Sequence, residues 1–224
     1  MYSVYNCICV ISVCGSLDIR NTVDDFSQLE NCSVIEGNLT ILLIDATGHE
    51  EYDRFSFPNL VEITEFLVLF RAKGLKSLRN LFPNLAVIRG DRLFSDYALV
   101  SFEMQDLVEL GLPSLVSIPR GAVRLDKNPK LCYIETIDWS KITTGVPMEE
   151  NYFGHNNNEQ DECVNRCHKT CPQVMLNGEE RQYCWSIGED SCQKMLSKSN
   201  TCSFYHNVLI NVKALGTKRC NVSC

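Results

Sequence analysis

A short phrase returns three times in this chain: Phe57, Pro58, Asn59 and Leu60 with Ile63; Phe82, Pro83, Asn84 and Leu85 with Ile88; Leu112, Pro113, Ser114 and Leu115 with Ile118. The copies begin about 25 to 30 residues apart. A proline turn that feeds Leu-x-x-Ile and then an apolar run, at such a period, is the signature of a solenoid. One coil cannot bury its own apolar face, so coils stack, and each proline marks a corner. The expected fold is a one-dimensional stack.

The runs beyond the corners are β-branched and aromatic: Leu39 to Ile44, Phe66 to Phe70, Tyr97 to Met104 and Ala122 to Leu125. They read as short strands. Their wide spacing forbids hairpins between them and suits parallel strands, one per coil, with side chains laddered on a common sheet. Leu75, Leu78 and Leu81, three apart, predict a helical turn on the far side of a coil. The repeats are expected to end near Trp139.

With 224 residues, 45% of them apolar, the chain is long enough for one sizeable core and a small appendage. The net charge of −7 and the lack of a basic stripe argue against nucleic acid and against an anionic membrane surface. No segment approaches 18 apolar residues, so no membrane span is expected. No Gly-rich loop, His-Arg-Asp, Asp-Phe-Gly, zincin or Gly-x-Ser-x-Gly motif occurs. No catalytic residues and no cofactor are therefore assigned.

Thirteen cysteines are distributed unevenly. Between residues 15 and 160 there are only Cys32 and Cys132, whereas Cys163, Cys167, Cys171, Cys184, Cys192 and Cys202 crowd together. A solenoid poor in cysteine is thus followed by a cysteine-dense module, with a polar linker over 146–162 between them. Cys163, Cys167, His168 and Cys171 are close enough in sequence to share zinc, but paired C-x2-C knuckles are missing. Disulfides in an oxidising compartment are the preferred reading. Sequons at Asn31, Asn38 and Asn221 point the same way, to glycosylation of a secreted chain. Met1–Val13 reads as a degenerate or partial signal segment. Residues 196–224 form a divergent tail, with a strand-like run from Phe204 to Val212 and with Cys202, Cys220 and Cys224 unassigned, as are Cys7 and Cys9 near the start.

The sequence Cys14 to Asn21, followed by Leu29 to Gly37, resembles the opening of the insulin and insulin-like growth factor receptor ectodomain. So do Phe82 to Gly90 with Arg92, Leu93 and Phe94; Tyr97 to Val100 with Phe102, Glu103 and Met104; and Leu131 to Tyr133 with Thr136 to Ser140. The resemblance runs from Cys14 to Cys132 and, more loosely, to about Lys194.

It implies a mainly β chain with short helices: a leucine-rich-repeat-like L domain over 14–145, folded as a right-handed parallel β-helix, then a partial furin-like cysteine-rich region over 163–195. It implies disulfides Cys14–Cys32, Cys132–Cys163, Cys167–Cys184 and Cys171–Cys192. It also implies that Trp185 wedges from the cysteine-rich region into the end of the L domain.

In that family the sheet face receives the hormone. The matching positions are Asp18, Arg20, Asn21, Leu42, Leu43, Phe70, Arg71, Phe94, Tyr97, Val100, Phe102, Arg124 and Lys127. Strand alternation independently puts Leu42, Val68, Phe70, Val100 and Phe102 on one face, as a platform or as core, since parallel strands are often apolar on both faces. Core is the preferred reading of those apolar residues; Arg20, Arg71 and Arg124 shift it modestly towards an exposed patch with the composition of a binding hot spot, or are themselves a solvated rim. Thr40, Asp45 and Ser95 depart from the family pattern on this face, and Asp126 replaces Glu.

The expected function is an extracellular module that binds an insulin-like peptide, as a receptor fragment, a truncated isoform or a secreted decoy. The alternative is an assembly module that pairs with other receptor chains.

Overall fold

The computed structural model describes residues 12–46, 48–157, 163–176 and 178–194. The strands are β1 (Val13–Cys14), β2 (Leu17–Arg20), β3 (Val34–Ile35), β4 (Leu39–Leu42), β5 (Glu62–Ile63), β6 (Leu67–Phe70), β7 (Val87–Ile88), β8 (Tyr97–Phe102), β9 (Ala122–Asp126), β10 (Tyr152–Gly154), β11 (Gln173–Leu176) and β12 (Glu179–Gln182). Two single-turn helices, α1 (Glu50–Asp53) and α2 (Trp139–Ile142), and 3-10 turns at Val23–Leu29, Met148–Glu150 and Glu189–Ser191 complete the elements.

The chain alternates between two parallel sheets. β1, β3, β5 and β7 pair in that order, and β2, β4, β6, β8, β9 and β10 form the second sheet. Up to β8 each circuit adds one strand to each sheet. Among the described residues the first sheet continues beyond β7 as single bridges, Val87 to Ser117 and Ile118 to Thr143.

The repeated phrase makes the corner before the first sheet. In each copy the fourth residue donates its N–H to the carbonyl of the first: Leu60 to Phe57 at 3.1 Å, Leu85 to Phe82 at 3.3 Å and Leu115 to Leu112 at 2.9 Å. These are β-turns with proline at the position where its fixed φ is favourable. The third residue ties one coil to the next, since Asn84 Nδ2 donates to the Pro58 carbonyl at 2.9 Å and Ser114 Oγ to that of Pro83 at 2.7 Å. A fourth corner, Leu29 to Cys32, has the same 3.1 Å bond without a proline, so the phrase search passes over it. Directly after the corners, Ile35, Ile63, Ile88 and Ile118 stack fully buried, one per coil.

Two expectations are corrected. Leu75, Leu78 and Leu81 are buried but form no helix; Leu78 donates to the Leu110 carbonyl of the next coil at 3.1 Å. Spacing by three there reflects inward pointing along a bonded loop. The stretch over 146–162 is not simply a linker. It contributes β10, which pairs with β9 and turns Phe153 inward to within 5.3 Å of the Trp139 ring, so the repeats extend past Trp139. Three residues are too few to show a period in sequence.

The cysteine module is held by Cys132–Cys163, Cys167–Cys184 and Cys171–Cys192, and Cys14–Cys32 closes the first coil. These are the pairs implied by the resemblance, and they consume the three thiols of the zinc alternative. His168 instead contacts Thr170 and Glu189. β11 and β12 form an antiparallel hairpin. Trp185 is fully buried against the last coil, edge-on to Trp139 at 5.8 Å. Beside it Arg79 donates to Ser186 and Ser191 Oγ at 2.6 Å each, to Asp190 at 3.0 Å and to Glu109 at 3.1 Å. The start of the signal-like segment, Asn221, the strand-like run Phe204 to Val212 and the unassigned cysteines lie outside the described residues. Val13, at the segment's end, is part of β1.

Candidate functional site

Register decides which side chains share a face. In the larger sheet Leu17, Leu39, Leu67, Leu99 and Val123 form one row, and Ile19, Ile41, Leu69, Ser101, Leu125 and Phe153 another; both point into the core. The intervening positions point outward, because successive side chains on a strand alternate. One outward row is Asp18, Thr40, Val68, Val100, Arg124 and Tyr152; the other is Arg20, Leu42, Phe70, Phe102, Asp126 and Gly154. At the usual strand spacing, six strands make a platform about 24 Å across.

A third row follows directly. Asn21, Leu43, Arg71, Glu103, Lys127 and His155 end their strands with φ between +49° and +68°. The N–H groups of Leu43, Arg71, Glu103 and Lys127 still reach the neighbouring coil, at 2.9 to 3.4 Å, before the chain turns away. Left-handed conformations in residues other than glycine cost roughly 1 kcal/mol or more each, and they persist where the surroundings over-determine them. Stacking repeats that conformation coil after coil and aims each side chain along the platform's edge.

Aromatic rings and cations alternate here. Phe70 and Phe102 stack at 5.7 Å between centroids, 21° from parallel. The guanidinium of Arg71 lies 4.9 Å from the Phe70 centroid, and Lys127 Nζ 5.2 Å from that of Phe102. Arg124 sits among three rings, 5.8 Å from Tyr97, 5.7 Å from Phe102 and 5.2 Å from Tyr152. Such placements attract a cation to the negative ring face.

Each cation is also held by a carboxylate. Arg20 pairs with Asp18 at 2.6 Å, and Asp18 accepts from Thr40 Oγ1 at 2.9 Å. Glu103 takes Arg71 at 2.6 Å and Lys127 at 3.7 Å. Asp126, nearly buried, accepts from Arg124 at 2.7 Å and lies 3.1 Å from His155 Nδ1. Burial opposes ionisation of Asp126, but the hydrogen bonds from Arg124 and His155 outweigh it and hold its pKa below the ordinary aspartate value. Hydrogen bonding to that carboxylate likewise raises the pKa of Arg124.

The thirteen positions singled out in sequence do not form one uniform patch. Arg20, Leu42, Phe70 and Phe102 share a row; Asp18, Val100 and Arg124 share the next; Asn21, Leu43, Arg71 and Lys127 lie in the left-handed row. Tyr97 opens β8 and reaches Arg124. Phe94, 47% exposed, comes from the loop before β8 and packs on Phe66 at 5.8 Å. Val100 points outward yet is only 4% exposed, and Val68 beside it 5%. Glu103, Tyr152 and His155 belong to the site but were not selected by sequence reasoning. Glu103 follows Phe102 directly and repeats the position of Arg71 after Phe70, a signal that was available; the other two lie in the stretch read as a linker.

Among the described residues, no group of His, Cys, Asp and Glu could hold a metal ion, and no helix is long and apolar enough to cross a membrane. Two parallel sheets with a laddered outer face, closed by a disulfide module, define a stacked-coil domain with one flat exposed side. The Receptor L domain family matches residues 31–143. Over 187 residues the chain is 50% identical to an insulin-like peptide receptor of Branchiostoma lanceolatum, covering 84% of this chain and 13% of that protein. It is 48% identical over 189 residues to an insulin receptor of Xenopus laevis (82% and 14%), and 47% identical over 185 to a putative molluscan insulin-related peptide(s) receptor of Lymnaea stagnalis (83% and 11%). The chain belongs to the insulin and insulin-like growth factor receptor family and spans roughly one seventh or less of the length of these relatives.

Proposed function

We propose that the outer face of the six-stranded sheet receives an insulin-like peptide in an extracellular setting. The observation that carries this reading is the Phe70–Phe102 stack flanked by Arg71, Arg124 and Lys127, each cation held in place by Glu103 or Asp126. Aromatic and arginine anchors already fixed before contact spare a ligand the entropy of ordering them. On the same reading the stacked coils are a right-handed parallel β-helix, an L domain over 14–145 extended by β10, and 163–195 begins a furin-like cysteine-rich region. The four disulfides fit an oxidising compartment.

The test is calorimetric titration of the folded, oxidised chain with insulin and with insulin-like growth factor. Saturable binding weakened about 30-fold or more by Phe70→Ala supports the reading, a loss of about 2 kcal/mol being usual for a hot-spot aromatic. Equal affinity in the variant sinks the proposed site. Absence of heat throughout, together with capture of a full-length receptor chain, turns the assignment to assembly.

A further inference from the structure

The sequon Asn38-Leu39-Thr40 lies on the platform itself. Leu39 and Ile41 point into the core, so Asn38 shares the outward parity of Thr40 and Leu42, directly before β4 begins. It is half-buried on a polar rim: its N–H donates to Ser16 Oγ at 3.2 Å, and its Nδ2 donates to Ser16 Oγ and to Glu65 Oε2, both at 3.4 Å. Glu65 in turn lies 3.6 Å from Arg92. By register Asn38 neighbours Phe66, whose ring packs on the exposed Phe94. Across β4 the opposite border, with Leu42 and Leu43, is about 13 Å away at the usual rise per residue.

The other described sequon is different. Asn31 stands in the Leu29–Cys32 corner before the four-stranded sheet, and its middle residue is tied to Cys14. A sugar there stands at the entry to the four-stranded sheet and not on a strand of the six-stranded one.

We infer that Asn38 carries an N-linked glycan that covers the Phe66–Phe94 border of the platform and leaves the Phe70–Phe102 border open, so that a partner approaches from the strand ends. The amide exchanges one N–H bond for an N–C bond to the first sugar of an oligosaccharide supplied by a lipid diphosphate donor; the proton leaves with the lipid diphosphate. One amide N–H remains, enough to keep one of the two long bonds to Ser16 and Glu65. The glycan's position rests on the sequon and the strand register, whereas its consequence for a peptide ligand rests on the function proposed above.

Two measurements on the full chain, passed through a secretory pathway, test this without any ligand. Enzymatic release of glycans in heavy-oxygen water followed by peptide mass spectrometry is expected to mark Asn38 in most molecules; an unmarked Asn38 overturns the inference. Hydroxyl-radical footprinting then compares the intact glycoprotein with the same folded protein trimmed to its first sugar, and with Asn38→Gln. Oxidation of Phe94 is expected to rise about twofold or more while that of Phe70 and Phe102 stays constant. Equal labelling of Phe94 in all three samples, or an equal rise at Phe102, overturns the one-sided shielding. A glycan that shields as expected, on a chain that binds no insulin-like peptide, leaves this inference standing and removes only the functional reading.

Discussion

Glu103 Oε2 accepts a 2.6 Å hydrogen bond from Arg71 Nε, which fixes the guanidinium over the Phe70 ring. The two residues are 32 apart in sequence but occupy the same position in adjacent coils, each with positive φ. The pair exists because a left-handed residue ends both strands and turns both side chains along the same edge.

Glu103→Gln removes the charge that holds Arg71 and Lys127 in place. Ordering a long side chain on binding costs about 0.5–1.5 kcal/mol. Insulin-like peptide affinity is therefore expected to fall about 2- to 10-fold, with thermal stability nearly unchanged, as measured by calorimetry and a melting curve. Unchanged affinity means that Arg71 needs no fixing.

Val100 and Phe102 point to the same side yet are buried to different degrees, so their truncations should separate. Val100→Ala leaves a void among the outward side chains that cover it and is expected to cost about 1–2 kcal/mol of stability with little direct effect on binding. Phe102→Ala, which removes a partly buried ring stacked on Phe70, is expected to cost binding more than folding. Denaturant unfolding and titration of the two variants give the comparison.

Arg79 is expected to secure the cysteine module. Four of its five N–H donors serve Glu109, Asp190, Ser186 and Ser191 at once. Arg79→Ala leaves these groups without their cation and should cost about 2–4 kcal/mol. Arg79→Lys recovers only part, since an ammonium cannot reproduce the fork. Fluorescence of the tryptophans, Trp185 being beside this site, follows loosening during a melt.

Asp106 supplies the pH dependence. It accepts from the Gly74 N–H at 3.0 Å and from Lys130 Nζ at 3.0 Å, linking three coils. The Gly74 bond, helped by Lys130 and opposed by burial, lowers its pKa. A carboxylate with a depressed folded pKa stabilises fully above its unfolded value, about 3.9, and loses that contribution as the pH falls through the folded value. The wild type is thus expected to melt about 2–4 °C above Asp106→Asn at neutral pH, with the gap closing below about pH 4. A gap that persists at pH 2 overturns the assignment.

Much of the fold was legible in the chain. Pro58, Pro83 and Pro113 announced corners because proline fixes a turn locally, and the β-branched runs after them announced strands. Leu29–Cys32 escaped because the same turn forms there without proline, its geometry imposed by the next coil. Leu75, Leu78 and Leu81 misled because inward pointing along a loop mimics a helical period. For the site, alternation alone placed Leu42, Phe70 and Phe102 on one face, but it could not tell that Val100 is covered or that Tyr152 and His155 end the two rows on either side.

The sequence by itself determined the repeats, the corners, the in-and-out order of side chains along each strand and the separation of a cysteine-poor region from a cysteine-rich one. All are fixed by local backbone preference and by the need to bury an apolar face. Only the tertiary structure decided register, and with it the ladder of left-handed residues, the hold of Glu103 on Arg71 and the clasp of Arg79 on the cysteine module. Those depend on which residues of successive coils lie side by side, a quantity set by the summed packing of the whole stack and by no single segment of it.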